Sequence, residues 1–147
     1  MWIEAGEEGT ITIADPDVVE RTNLAKQPYS ENQIGINRAH ALAARMRSIN
    51  PFCNIQIVPE GITSGNVTRI VKGADIVFDG IDITSLDMIW LLHLKAHAYQ
   101  KQTFIGYDLA GTALLIHEDY RKLTGLPLDG TLNQKTVNQF CMVRDAF

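Results

Sequence analysis

The chain has 147 residues, of which 46% are hydrophobic and 20% are charged, and its formal net charge is −4. These values are typical of one soluble globular domain, which we expect to span residues 1–147. The acidic balance argues against a nucleic-acid surface, and no apolar run approaches the roughly 20 residues that span a bilayer. Cys53 and Cys141 lack Cys-x-x-Cys spacing. That indicates neither a zinc site nor a disulfide framework and favours a reducing cytoplasm.

A strand, a polar arm and a helix are the first predicted elements. Thr10 to Ala14 is alternating and β-branched, which predicts a strand, and Asp15-Pro16-Asp17 predicts a turn after it. A polar arm that carries Glu20, Asn23, Lys26 and Gln27 follows the turn. Beyond this arm, apolar residues recur at steps of three and four until Asn50-Pro51, which predicts an amphipathic helix that ends there. Its predicted apolar face consists of Ile36, Ala39, Leu42, Met46 and Ile49.

Further strands and helices alternate along the rest of the chain. A strand around Ile55 and Ile57 precedes a short helix, which Thr63 or Ser64 can cap and which Gly73 ends. The apolar run Ile76-Val77-Phe78 predicts a central parallel strand that is covered on both faces. Thr84 is predicted to begin a long helix. The last predicted elements are strands at 103–107 and 112–117, the second of which can run antiparallel, and a helix at 133–140.

This alternation predicts an α/β fold that is Rossmann-like, with a mostly parallel sheet flanked by helices. Ligands of such sheets bind at the carboxyl ends of the strands. Asp15 and Asp82 each follow a predicted strand, so we expect them to face one crevice. His93 and His97 have the i, i+4 spacing of a metal-binding pair, but no Glu follows His93 and no third ligand is evident. Packing or solvent exposure is therefore the favoured interpretation of both histidines.

Four motifs in order resemble the ThiF/MoeB superfamily, the adenylating enzymes related to ubiquitin-activating enzymes. They are D-P-D-V-V-E-R-T-N-L-A-K-Q, I-G-I-N-R-A, S-I-N-P and D-I-V-F-D-G-I-D, and the resemblance covers roughly Thr10 to Gly111. It implies ATP and Mg²⁺ as cofactors and adenylation of a carboxylate. The usual acceptor in that superfamily is the C-terminal glycine of a ubiquitin-like or sulfur-carrier protein. The resemblance also implies a homodimer in the cytoplasm.

The resemblance implies three groups of site residues. Asp15 would hold the ribose hydroxyls, with Asp17 beside it. The residues that would lie along the phosphates are Asn23, Lys26, Gln27 and Arg38. Asp82 would hold the magnesium ion, with Asp79 in support. Lys26, Arg38 and Asp82 would act in catalysis. A carboxylate that attacks a phosphate needs positive charge around it, which the two basic side chains and the Mg²⁺ ion held by Asp82 would supply.

The chain departs from the family pattern in three places. Lys26 stands where the family usually has arginine, and Arg38 stands where it usually has lysine. The two exchanges keep the total charge. At position 26 the point charge of an ammonium replaces a planar guanidinium, and at position 38 a guanidinium replaces an ammonium. The glycine-rich loop of the first βα unit is also absent, since no strand precedes Gly6 or Gly9. We therefore expect the first strand to be missing, and Met1 to Gly9 is predicted to be a loop or the end of a helix.

Three hypotheses about function remain open at this stage. The first is an N-terminally incomplete ThiF-type domain that adenylates a carboxyl group. The second is a catalytically inactive Rossmann-like module that acts in dimerisation or partner binding, which the missing loop and the exchange of Lys26 and Arg38 favour. The third is a fragment of a dinucleotide-dependent oxidoreductase with Asp15 on the NAD ribose, a scheme that leaves the polar arm without a role.

Overall fold

This computed structural model describes residues 9–109, 112–130 and 132–144. The predictions for residues 1–8 lie outside these ranges. The chain forms two compact units, Met1–Ile62 and Thr63–Phe147, and each has its own sheet. No helix among those described has the length and apolar character required to cross a membrane. The prediction of a single domain over 1–147 stays a prediction.

The first unit is a βαβ arrangement in which β1 (Thr10–Ala14) and β2 (Asn54–Val58) pair in parallel. Helix α1 (Arg38–Ile49) connects them and packs on β2. The predicted bounds of β1 and the predicted end of α1 are confirmed. The predicted apolar face of α1 is partly wrong, because Ile36 precedes the helix and Ile49 is exposed. Ala39 is buried as predicted, and the other buried positions of the helix are Ala41 and Ala43.

The second unit contains a three-stranded sheet in the order β3-β4-β5. β3 (Ile76–Asp79) runs parallel to β4 (Gln102–Leu109), and β5 (Thr112–Asp119) runs antiparallel to β4, as the sequence allowed. The helices of this unit are α2 (Val67–Gly73), α3 (Leu86–Ala98) and α4 (Gln134–Arg144).

Two predictions for the second unit are wrong. β3 is not covered on both faces, since the side chain of Phe78 is 68% exposed and that of Ile76 is 42% exposed. An apolar run indicates a strand, but it does not say how many layers pack against it. Helix α3 begins at Leu86 rather than Thr84, because Asp82 caps a separate 3-10 turn at Ile83–Ser85.

Candidate functional site

The turn that follows β1 is held in place by one asparagine. Asn37 donates from Nδ2 to the carbonyl oxygens of Asp15 and Asp17, at 2.8 and 3.1 Å, and to that of Pro59 at 3.2 Å. Its Oδ1 accepts from the first amides of α1, those of Ala39 and His40, so Asn37 is also the N-cap of the helix. The aspartate turn and the start of α1 are therefore joined through one side chain.

A short antiparallel bridge between Val18 and Asn37 brings Arg38 to the aspartate turn. The Arg38 amide donates to the Asp17 carbonyl at 2.8 Å, and its guanidinium Nη2 pairs with Asp17 Oδ2. The Nε atom lies 3.2 Å from Asp15 Oδ2, which is an ion-pair distance without a well-aligned hydrogen bond. The three predicted site residues Asp15, Asp17 and Arg38 thus form one cluster, which we call the aspartate–arginine cluster.

Burial and charge act in opposite directions on Asp15. Partial burial raises the pKa of its carboxyl above the ordinary value, and the neighbouring Arg38 lowers it by less. Partial burial raises the pKa of the Tyr29 hydroxyl, and the neighbouring Asp15 carboxylate raises it further. Asp15 Oδ1 accepts from the Asp17 amide at 3.0 Å, so both of its carboxylate oxygens have a partner. A ribose hydroxyl that donates to Asp15 would therefore share it with Arg38.

The polar arm is an ordered 3-10 helix, Arg21–Ala25. Asn23 Oδ1 accepts from the Glu20 amide at 2.8 Å, so the side chain of Asn23 caps the turn. Lys26 ends the turn, and Lys26 and Gln27 are both exposed. Within the described ranges the Lys26 ammonium has no ion pair. The arm therefore presents one cation that is available to an anionic ligand.

In the second unit, Asp82 lies just beyond β3 and is exposed. Its Oδ1 accepts from the amide and the hydroxyl of Thr84 at 2.8 and 2.9 Å, and these bonds hold the pKa of Asp82 below its ordinary value. Oδ2 has no hydrogen bond within the described part of the chain. Among those residues no group of three His, Cys, Asp or Glu could hold a metal ion. Asp82 is thus a single hard ligand, the type that Mg²⁺ shares with phosphate oxygens and water.

Asp79, the other predicted aspartate of this unit, is buried rather than open to a ligand. Its Oδ1 accepts from the Ile81 amide at 2.9 Å, and its Oδ2 lies 3.1 Å from His93 Nε2. His93 Nδ1 is in turn 2.7 Å from the Tyr120 hydroxyl. Within the described part of the chain both oxygens of Asp79 have protein partners, which is consistent with the supporting role predicted for it; that role stays a prediction.

Sequence reasoning missed Asn37, Tyr120 and the specific role of His93. An asparagine directly before a predicted helix is a good N-cap, and this signal could have identified Asn37. No comparable signal pointed to Tyr120, which lies 27 positions from His93. The aspartate–arginine cluster lies in the first unit and Asp82 in the second. The convergence of Asp15 and Asp82 on one crevice stays a prediction.

Comparison with known proteins agrees with these motifs, because the ThiF family matches residues 1–124. The chain belongs to the ThiF family. A Porphyra purpurea protein named as a probable molybdopterin-synthase adenylyltransferase is 35% identical over 83 residues, which are 56% of this chain and 22% of that protein. The SAMP-activating enzyme E1 of Haloferax volcanii is also 35% identical over 83 residues, which cover 56% of this chain and 31% of that enzyme.

Among solved structures, the Escherichia coli tRNA N6-threonylcarbamoyladenosine dehydratase in complex with ATP superposes with a TM-score of 0.62 and 25% identity. The match covers 74% of this chain and 48% of that one. The Rossmann-like fold class is thereby confirmed. This ThiF-family chain spans 22% and 31% of the two curated relatives above. Family membership leaves the oxidoreductase hypothesis without support.

Proposed function

We propose that this chain supplies nucleotide-binding residues of a site that uses ATP to adenylate a carboxyl group. The observation that carries the proposal is the aspartate–arginine cluster at the carboxyl end of β1, which combines a hydroxyl acceptor, Asp15, with a cation, Arg38. The ATP complex of the E. coli dehydratase supports the choice of nucleotide. The two curated relatives, an adenylyltransferase and an activating enzyme, support the choice of reaction.

In this scheme the reaction is largely electrostatic. A carboxylate oxygen of the acceptor attacks the α-phosphorus, the bond to the bridging oxygen breaks, and pyrophosphate leaves with that electron pair. Asp15 accepts hydrogen bonds from the ribose hydroxyls, while the Arg38 guanidinium turns from the aspartates towards phosphate. Lys26 adds a second positive charge from the arm, beside the amides of Asn23 and Gln27. Positive charges placed where negative charge accumulates lower the barrier.

Oδ2 of Asp82, which has no hydrogen bond among the described residues, fits a magnesium ion, since Mg²⁺ prefers hard oxygen ligands and often takes one or two carboxylates. When bound there, the ion would neutralise charge on the phosphates. Asp82 is already anchored by Thr84, so its carboxylate is oriented before the ion arrives. Asp79 contributes through the turn that carries Asp82 rather than by contact with the nucleotide.

The acceptor is a further part of this proposal. We infer a protein with a free C-terminal carboxylate, of the ubiquitin-like or sulfur-carrier type, because the relatives include a SAMP-activating enzyme and a molybdopterin-synthase adenylyltransferase. A small carboxylic acid is the other acceptor that the chemistry allows. A homodimer and a cytoplasmic location belong to the same proposal, and Cys53, a free cysteine, fits a reducing compartment.

Calorimetry of ATP binding tests the role of the aspartate–arginine cluster. Asp15→Asn should weaken ATP binding about tenfold or more, because the amide replaces an acceptor oxygen by a donor. Glu31→Gln is the matched control, because Glu31 forms an exposed ion pair with Arg21 in the same unit. Equal affinity of Asp15→Asn and the unmodified chain would remove the ribose assignment.

A second experiment, ATP–pyrophosphate exchange, tests the reaction itself. Exchange should be lost in Asp82→Ala.

One observation favours the second hypothesis, the catalytically inactive module. Arg38 is paired with two carboxylates, and both oxygens of Asp15 have partners. A cluster that stabilises only the turn would look the same. Calorimetry separates the two hypotheses: tight Mg·ATP binding that depends on Asp15 supports the enzyme, and heat signals at the level of buffer injection support the inactive module.

A further inference from the structure

Three polar side chains in the interior of the second unit form a continuous hydrogen-bonded series, which we call the buried triad. Asp79, His93 and Tyr120 are 4%, 0% and 2% exposed. Tyr120 Oη lies 2.7 Å from His93 Nδ1, and His93 Nε2 lies 3.1 Å from Asp79 Oδ2. The triad joins the end of β3, the middle of α3 and the residue that follows β5.

The direction of the hydrogen bonds follows from the chemistry of the groups. A carboxylate accepts, so the Nε2–H of His93 donates to Asp79, while Nδ1 is hydrogen-bonded to the Tyr120 hydroxyl. Burial raises the pKa of Tyr120 well above its ordinary range, and the tyrosine therefore remains a hydroxyl that can donate. Each polar atom of His93 has one partner, and the imidazole plane is fixed at both ends.

The triad continues to the proposed magnesium ligand through the backbone. The second oxygen of Asp79 accepts from the Ile81 amide at 2.9 Å, and Ile81 directly precedes Asp82. Asp82 then bonds to Thr84 and starts the 3-10 turn that leads into α3. The position of the Asp82 backbone is thus set from one side by Asp79, whose own orientation depends on His93.

We propose that His93, held by Tyr120, is a positioning residue that fixes Asp79 and through it the turn that presents Asp82. The proposal rests on the function proposed above, in which Asp82 holds magnesium. The neighbouring buried positions of α3, Ile89, Leu92 and Ala96, are apolar. A buried polar series is not required for packing, because apolar residues of similar volume often give equal or greater stability. The series is present because it fixes the orientation of Asp79 and of the turn that carries Asp82.

The test uses two readouts on the same variants of the chain. The first is the hydrogen-exchange rate of the Ile81 amide by NMR without ligand, which reports the bond to Asp79. The second is the dissociation constant of Mn²⁺, as a probe for Mg²⁺, in the presence of α,β-methylene ATP. The variants are His93→Leu, which removes both bonds, and His93→Gln, whose amide can still donate to Asp79. Tyr120→Phe removes only the hydroxyl.

His93→Leu should speed exchange of the Ile81 amide and weaken Mn²⁺ binding, each by about tenfold, because a hydrogen bond to a charged group is lost. His93→Gln should restore both values to within about threefold of the unmodified chain, and Tyr120→Phe should fall between the two variants. Ile89→Val is the matched control, since it removes one methyl group from the same buried face of α3 without touching the triad. It should leave both readouts unchanged.

Several outcomes would overturn the positioning role. One is an Ile81 amide that exchanges at the same rate in Tyr120→Phe as in the unmodified chain; this variant keeps the test valid if His93→Leu does not fold. A second is faster exchange with unchanged Mn²⁺ affinity, and a third is an equal loss in Ile89→Val. Failure of the proposed function looks different: Asp82→Asn would then leave Mn²⁺ affinity unchanged while the Ile81 amide still responds to His93.

Discussion

The aspartate–arginine cluster of the first unit and the buried triad of the second are built on the same plan and differ in their exposure to water. Each begins at the carboxyl end of a parallel strand, β1 or β3, and each ties an aspartate to the helix that follows. The side chain of Asp17 is 64% exposed, whereas that of His93 is fully buried. Solvent therefore screens the charge of Asp17 in the cluster, whereas it does not reach the triad.

This difference decides what each set can do. Exposed ion pairs contribute about 0–1 kcal/mol, because water competes for both partners. Arg38 can therefore leave Asp17, which is 64% exposed, at little cost, whereas its pair with Asp15, which is 29% exposed, is screened less by solvent. Removal of one partner from a buried pair costs about 3–5 kcal/mol, because the other is left without compensation. The cluster is thus suited to change partners when a ligand binds, and the triad is suited to hold a fixed geometry.

The largest effect is expected where the triad is broken. Among the described residues, His93→Leu leaves the Ile81 amide as the remaining partner of the buried Asp79 carboxylate, and the free energy of unfolding should fall by about 3–5 kcal/mol. Urea denaturation measures this change. Ile89→Val, in the same helix, should cost only about 0.5–1.5 kcal/mol. A loss below about 1 kcal/mol for His93→Leu would mean that the buried triad stabilises the fold no more than an exposed ion pair does.

A smaller effect is expected at Gly61, which packs closely against the ring of Pro16 in the aspartate turn. Gly61 has a φ of +71°, and a Cβ added there would lie 2.7 Å from Pro16 Cδ in the turn that carries Asp15 and Asp17. Gly61→Ala should therefore reduce the free energy of unfolding by about 1–3 kcal/mol through backbone strain and the clash.

Gly35→Ala is the matched control for this prediction, because Gly35 also has a positive φ, +85°, but nothing lies within 4 Å of its added Cβ. It should cost about 1–2 kcal/mol from conformation alone. Urea denaturation of both variants separates the two contributions. If Gly61→Ala costs no more than Gly35→Ala, close packing against Pro16 does not hold the turn.

Next in size is the loss of the asparagine that joins the turn to α1. Asn37→Ala removes the N-cap of α1 and three bonds to backbone carbonyls, and should destabilise the chain by about 1–2 kcal/mol. Asn37→Ser keeps a capping oxygen and loses the amide donors without adding a charge. It should retain part of the stability in urea denaturation. Equal losses in the two variants would show that the cap contributes nothing beyond the carbonyl bonds.

The sequence predicted the local parts of both regions and missed the distant parts. Strand β1 and the turn after it follow from alternation and from Asp15-Pro16-Asp17, all within eight residues. The pairing of Arg38 with Asp17 depends on a bridge between Val18 and Asn37, which no local pattern indicates. The sequence shows that Arg38 stands where the family usually has lysine. Only the structure shows the consequence, which is that the guanidinium reaches two aspartates.

The same limit applies in the second unit. The end of β3 and the position of Asp82 follow from an apolar run and an acidic turn. The sequence favours packing or solvent exposure for His93, because no Glu follows it and no third metal ligand is evident. Its partner Tyr120 comes only after two further strands. Buried polar partners that are far apart in the chain leave no periodic signal, and the buried triad could therefore be found only in three dimensions.

The smallest expected effect concerns the pH dependence of the two site aspartates, which should have opposite signs. The pKa of Asp15 is raised in the folded chain, mainly by burial. Its contribution to stability is fully present below its ordinary value of 3.8 and is lost as the pH rises through the folded pKa. The pKa of Asp82 is lowered, mainly by the Thr84 amide, so its contribution is present above 3.8 and is lost as the pH falls through the folded pKa.

Urea denaturation between about pH 2.5 and pH 7 measures both contributions, as differences from the unmodified chain. Relative to that chain, Asp15→Asn should become more stable as the pH rises, and Asp82→Asn should become less stable. Both changes should be small, because both carboxyls remain in contact with water. Glu31→Gln, at an exposed pair in the first unit, sets the background. Difference curves of the same sign would contradict the environments described here, in which burial controls Asp15 and a capping bond controls Asp82.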